Sequence, residues 1–180
     1  MVLSLTGQGQ GNEIFDDPVP FTGYVTVPVG NFIMGVYTGS QTGRGTYTLA
    51  LQTTTIPDGC VEGGTRDGPH RIVYPGITLA GRITSNDCTT SQSGFFGDHY
   101  ELTLVVGQNY QLSATASSFL RLEIELPDKN GGPPFVQGQS VSSGTVSFTF
   151  QPTTTDLYIV NAIGFPGSGS EPYTLAITKL

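Results

Sequence analysis

Apolar and polar residues alternate along most of this chain, in short runs. Leu120-Arg-Leu-Glu-Ile-Glu-Leu126 sets Leu120, Leu122, Ile124 and Leu126 on one face and Arg121, Glu123 and Glu125 on the other, the period of a strand with one buried side. Tyr100 to Val105 and Tyr110 to Ala116 alternate likewise across the turn Gly107-Gln108-Asn109. Further strands are expected at Ile72-Val73, Ile77–Ile83, Val146–Phe150, Leu157–Ile163 and Tyr173–Thr178. Earlier in the chain the pattern predicts strands at residues 2–6, Tyr24–Val27, Phe32–Thr38 and Thr46–Gln52. The acidic stretch Asn12–Pro18 and the segment from Pro127 to Gly144 read as loops, and Glu123 and Glu125 as a solvated face. No window of helical length has apolar residues at a 3.6-residue period without a Gly or Pro break. Short strands with regular turns predict an all-β protein, an antiparallel sandwich of jelly-roll or Greek-key type.

One strand occurs twice. Tyr47-Thr-Leu-Ala-Leu51 returns as Tyr173-Thr-Leu-Ala-Ile177, and Phe32-Ile-Met34 stands opposite Tyr158-Ile-Val160 at the same spacing, 126 residues (Tyr47 to Tyr173). A spaced repeat of this kind means one fold unit present twice, or one and a part. Too little chain precedes Tyr47 for a whole sandwich. Residues 1–52 therefore read as the C-terminal half of a repeat, 53–71 as a Gly/Pro/Thr-rich linker, and 72–180 as a complete sandwich. Half a sandwich leaves strand edges unpaired. Upstream strands, the second unit, or a neighbouring chain adding strands would complete it. The last contact is heterologous and propagates into a filament.

Composition changes the picture by exclusion. Charged residues make up 12% of the chain, with 25 Gly and 12 Pro spread throughout, while the 37% hydrophobic share is too high for a disordered chain. Thr, Ser and Gly fill polar positions where a cytosolic protein carries Lys and Glu, which points to an extracellular or cell-surface protein. A net charge of −7 with seven Lys plus Arg cannot build a basic patch, so no nucleic acid and no anionic lipid is expected as partner. No run of about 20 apolar residues exists to insert in a membrane. Residues 1–6 lack the charged start and apolar core of a signal peptide, so an extracellular chain would be a processed product or a fragment.

The motifs of the second unit keep a definite order: Gly81-Arg-Ile83, Asp98-His-Tyr100-Glu-Leu102, Gly107-Gln108, Asp128-Lys-Asn-Gly131, Asp156-Leu-Tyr158 and Tyr173-Thr-Leu175. In that order and spacing the chain resembles the bacterial pre-peptidase C-terminal domain family over residues 72–180, with residues 1–52 repeating its second half. Leu102 replaces the family's usual aromatic, and Thr155-Asp156 its Thr-Gly. The resemblance implies a non-catalytic extracellular β-sandwich, often in tandem, appended to secreted peptidases and other exported proteins. It also implies a disulfide between Cys60 and Cys88, since relatives pair a cysteine before the first strand with one in the loop after it. Such a bridge would close a loop of about 28 residues and contribute roughly 3 kcal/mol. Two free thiols or a metal site are the alternatives, zinc being poorly served by two Cys and two His. Related collagen-binding modules take Ca²⁺ through an acidic linker, whereas this linker holds only Asp58, Glu62 and Asp67.

Candidate chemistry is sparse. Asp98 and Tyr100 share a strand face that His99 leaves, and no nucleophile elbow exists, so no catalytic triad is expected. Asn12, Glu13, Asp16 and Asp17 gather hard oxygens and form the one candidate Ca²⁺ site; otherwise no cofactor is expected. Phe95, Phe96, Phe135 and Phe165 fall outside strand alternation and read either as a contact surface or as plugs for the core. Thr53, Thr54, Thr55, Thr153, Thr154 and Thr155 are candidates for O-linked sugar. The expected partners are other copies or neighbouring repeats, or an extracellular protein or glycan. The leading function is a non-enzymatic structural or adhesive subunit of a fibre or surface array; the alternative is an accessory substrate-binding domain of a secreted hydrolase.

Overall fold

The computed structural model describes residues 2–7, 12–15, 23–26, 32–37, 70–89, 94–126, 135–165 and 170–180. Strands before Arg71, and Phe135 with Val136, are described by backbone pairing alone. The strands are β1 (Val2–Gly7), β2 (Asn12–Phe15), β3 (Gly23–Thr26), β4 (Phe32–Tyr37), β5 (His70–Val73), β6 (Ile77–Ile83) and β7 (Cys88–Thr89). They continue with β8 (Phe96–Leu104), β9 (Tyr110–Ala116), β10 (Leu120–Leu126), β11 (Phe135–Val141), β12 (Gly144–Phe150), β13 (Asp156–Gly164) and β14 (Glu171–Lys179). Among the described residues there is no helix.

Two sheets form a β-sandwich. One runs β11-β10-β13-β8-β5-β3, with β7 also on β8, and the other runs β12-β9-β14-β6. Alternation decides which side of each strand meets the other sheet. Leu102, Leu122, Ile124 and Val160 from the first sheet and Leu112 and Leu175 from the second are completely buried in one core. Each contributes about 1.5–3 kcal/mol through removal from water. Gly107 and Gly144 take positive φ at 79° and 93° in the turns that lead into β9 and β12, a conformation closed to most side chains.

The strand β13 is buried along nearly its whole length on both faces. Ile159, Asn161 and Ile163 are covered as well as the core-facing Tyr158, Val160 and Ala162. Glu123, expected on a solvated face, is buried too, at 8% exposure. It pairs with Arg121 and lies beneath β11, where its Cγ approaches Gly138 so closely that a side chain there would collide at 2.7 Å. An ion pair and a glycine on the neighbouring strand make the buried carboxylate tolerable.

The first segment repeats part of the second. Its sheet has the order β2-β1-β4, antiparallel throughout, as β11-β10-β13 has. Apolar positions pair alike in the two sheets. Leu5 pairs with Met34 and Leu3 with Val36, while Ile124 pairs with Val160 and Leu122 with Ala162. In chain order β1, β2, β3 and β4 thus stand where β10, β11, β12 and β13 stand. The copies part at the third strand. β12 pairs with β9 in the opposite sheet, whereas β3 pairs in parallel with β5, at the edge of the second unit's own sheet.

Two stretches read as loops are strands, and they are the same strand of the repeat. β2 occupies the acidic stretch, and β11 occupies the Gly/Pro/Ser segment before Gly144. Each lies at a sheet edge among the described residues, with one strand neighbour, and neither face need be apolar. β5 also begins at His70, inside the stretch read as linker, and β8 begins at Phe96 rather than beyond Gly97. The strand expected at Thr46–Gln52 lies outside the described residues.

Candidate functional site

Three places in the fold concentrate chemistry: a buried polar chain between the sheets, an aromatic row at one end, and the outer edge of β4. The polar chain starts from Asp98 and Tyr100, which share the inward face of β8. Arg71 on β5 donates from Nη1 to Asp98 Oδ1. Tyr173 crosses from β14 and its hydroxyl donates to Asp98 Oδ2 at 2.6 Å. That uses the only proton of Tyr173, so Tyr100, 2.6 Å away, donates to the Tyr173 oxygen. Donation runs from Tyr100 to Tyr173 and from Tyr173 to Asp98, which accepts, with Arg71 balancing the charge from the other side. Its guanidinium also lies 5.8 Å from the Tyr100 ring centroid. All four residues are at most 4% exposed.

Proton affinities follow from this burial. Desolvation works to lower the Arg71 pKa, but the Asp98 charge, with smaller help from the two tyrosines, outweighs it and raises the pKa. Tyr100 is raised above its ordinary value, first by burial and then by Asp98. Tyr173 is raised by burial, then by Tyr100 and Asp98. Gly81, the register partner of Tyr173 on β6, makes room for the ring: a Cβ there would stand 2.2 Å from Tyr173 Cζ. The ordered motif residues Gly81, Asp98, Tyr100 and Tyr173 therefore converge on one point. What that point does chemically is tie β5 and β8 to β14 across the core. Arg71 was missed in the sequence because it sits in a Gly/Pro-rich stretch; a lone cation just before an apolar pair was its only signal.

The aromatic row follows from register. Gly164 pairs with Phe96 on one side and Leu120 on the other, so the residues one step beyond, Phe95, Phe119 and Phe165, fall at the same end. The Phe95 ring is 5.5 Å from Phe119, edge-on at 76°, and 5.4 Å from Phe165, tilted at 48°. Phe165 is half exposed and lies against Gly94, whose φ of 81° and lack of a side chain admit the ring. Beside it, Glu171 Oε2 is buried against Gly164 without a hydrogen-bond partner among the described residues. Of the expected contact aromatics, Phe95 and Phe165 meet, Phe96 packs on the core, and Phe135 pairs with Leu126 at the far end of β10. Phe119 escaped notice because it immediately precedes an alternating strand.

The remaining candidates are dispersed. Asn12 and Glu13 are positions of β2, opposite Thr6 and Leu5; Asp16 and Asp17 lie outside the described residues. No group of three or more His, Cys, Asp or Glu that could hold a metal occurs among the described residues. Cys88 is buried in β7, 3% exposed, while Cys60 lies outside the described residues, as do Thr53, Thr54 and Thr55. Thr153, Thr154 and Thr155 form an exposed turn. Thr155 Oγ1 accepts from the Val106 amide at 3.0 Å, and the Thr154 carbonyl accepts from Tyr158 at 3.2 Å.

The edge of β4 is the third place. In the second unit β8 pairs with the free side of β13 from Asp156 to Gly164. Among the described residues no strand pairs with the corresponding side of β4. No protein-family model matches this chain, and no curated protein is significantly similar to it.

Proposed function

We propose that this chain is a non-enzymatic extracellular protein of the pre-peptidase C-terminal type that acts by surface contacts. It is a structural or adhesive subunit that assembles head-to-tail by strand completion of its partial first repeat. The observation that carries this reading is the three-strand sheet β2-β1-β4, which reproduces β11-β10-β13 but has no described neighbour on β4. An unpaired edge is a template for another strand. Because donor and acceptor surfaces differ, each addition leaves a new acceptor and the contact does not close. The pairing of β3 with β5 fastens part of the first segment to its own chain and narrows the acceptor to the β4 edge.

The proposal includes a Cys60–Cys88 bridge. It is supported by the burial of Cys88 and by the absence of a free cysteine among the described residues. Negative-stain micrographs of the purified chain at micromolar concentration are expected to contain linear fibres. A monodisperse monomer in those images and in light scattering would sink the reading.

A second reading, an accessory domain that holds a substrate for a secreted hydrolase, is favoured by the Phe95-Phe119-Phe165 row. Aromatic faces at the end of a sandwich stack on sugar rings or apolar side chains of a protein fibre. A catalytic domain encoded in the same reading frame would decide for it.

A further inference from the structure

We infer that the sheet β2-β1-β4 lies face down on the outer side of the first sheet of its own chain, over β8 and β13. The second unit's sheet then serves as a packing layer for the partial repeat. This goes beyond the strand-completion reading, because it concerns the face of that sheet and not the β4 edge. The side of the first sheet turned away from the core is buried. On β8 the core takes Tyr100 and Leu102, and Glu101 points the other way, paired with Ile159 on β13 and Ile72 on β5. Ile72, Glu101, Ile159, Asn161 and Ile163 are all buried, and the three isoleucines stand apart from the core between the sheets. Every described strand from β5 onward lies in this sheet or in the one across the core, so none of them is the cover. Beyond β5, the stretches outside the described residues are 90–93, 127–134 and 166–169, short links between strand ends. The cover therefore comes from the chain before β5.

That part of the chain carries an apolar face. Pairing within β2-β1-β4 sets Leu3 beside Phe15 and Val36, Leu5 beside Met34, and Gly7 beside Phe32. Leu3, Leu5, Phe15, Phe32, Met34 and Val36 thus share one side of that sheet, with Glu13 its one charged position. The other side mixes Ser4, Thr6 and Asn12 with Ile14 and Ile33. An apolar sheet face has to be buried against another layer, and sheets stack about 10 Å apart. Connectivity puts the two faces within reach. β3 extends the first sheet beyond β5, and only five residues separate Thr26 from Phe32, a reach of about 20 Å. β13 lies three strand spacings from β3, about 14 Å.

The test is hydroxyl-radical footprinting of the full chain, read residue by residue. Ile159 and Ile163 should be modified several times more slowly than Val106, which is half exposed. Dilution by about a hundredfold should leave the difference unchanged, because an intrachain contact has no mass-action dependence. Leu5→Asp puts a charge into the proposed contact and should bring the two isoleucines to the rate of Val106. Thr6→Asp, on the opposite side of the same strand, should leave them protected. Leu102 and Leu122 report whether the second unit stays folded, and Met34→Asp repeats the test from β4. Isoleucines that stay protected in both Leu5→Asp and Met34→Asp overturn the inference. Protection that fades on dilution also overturns it, since the cover is then a second copy. Equal exposure by Leu5→Asp and Thr6→Asp overturns the face assigned.

Discussion

The strands β10, β11 and β13 and their counterparts β1, β2 and β4 have one topology and two surroundings. In the second unit, β13 has β8 beside it, and β8 is bound through Asp98 to Arg71 and Tyr173. In the first, β4 ends its sheet among the described residues. The contrast teaches that strand order belongs to the local pattern, while closure depends on a neighbour and on the polar chain that holds it. The first segment carries the information for its own three-strand sheet.

Removing the Asp98 carboxylate should erase most of that difference. Asp98→Ala leaves Arg71 buried without its counter-charge, a loss of about 3–5 kcal/mol. In urea denaturation the second unit should melt correspondingly earlier, with β13 amide protection falling toward that of β4. An unchanged midpoint would mean that the polar chain does not maintain closure.

Gly81→Ala attacks the same lock from the other sheet. Its methyl group would strike a ring whose hydroxyl is fixed by two hydrogen bonds, so the ring cannot simply yield. The cost of overpacking, about 1–3 kcal/mol, exceeds the roughly 0.5–1 kcal/mol that alanine gains over glycine in a strand. Thermal melting should therefore show a net loss.

Alkali sharpens the comparison most gently. Tyr100 and Tyr173 titrate higher when folded than the value of about 10 expected in the unfolded chain. Above that value the unfolded state has released protons that the folded state retains. Their contribution is whole below about pH 10 and declines as pH rises, by up to about 1.4 kcal/mol per unit for each tyrosine. Denaturation midpoints measured from pH 8 to 11 should be flat at first and then fall.

Much of the fold was legible in the chain. Strands with one apolar face, such as Leu120–Leu126 and Tyr110–Ala116, announce themselves because burial demands alternation. β2 and β11 do not, since an edge strand is held by backbone hydrogen bonds that any residue supplies. The polar chain was half legible: Asp98 and Tyr100 were assigned a common face, but nothing local to Arg71 tells that it meets them from the adjoining strand, or to Tyr173 that it meets them across the core. Phe119 was hidden for a related reason, because its neighbours come from strands remote in sequence.

The order of the buried hydroxyls makes the two tyrosines unequal heirs to the same site. Tyr100 gives its proton to Tyr173 and is itself reached by Arg71, so a phenylalanine in its place still leaves Tyr173 able to serve Asp98. Tyr173 both receives and gives. Its loss silences two conversations at once, leaving a hydroxyl and a carboxylate facing each other's absence in the dry interior. Where both residues are tyrosine, position in the line rather than chemistry ranks them.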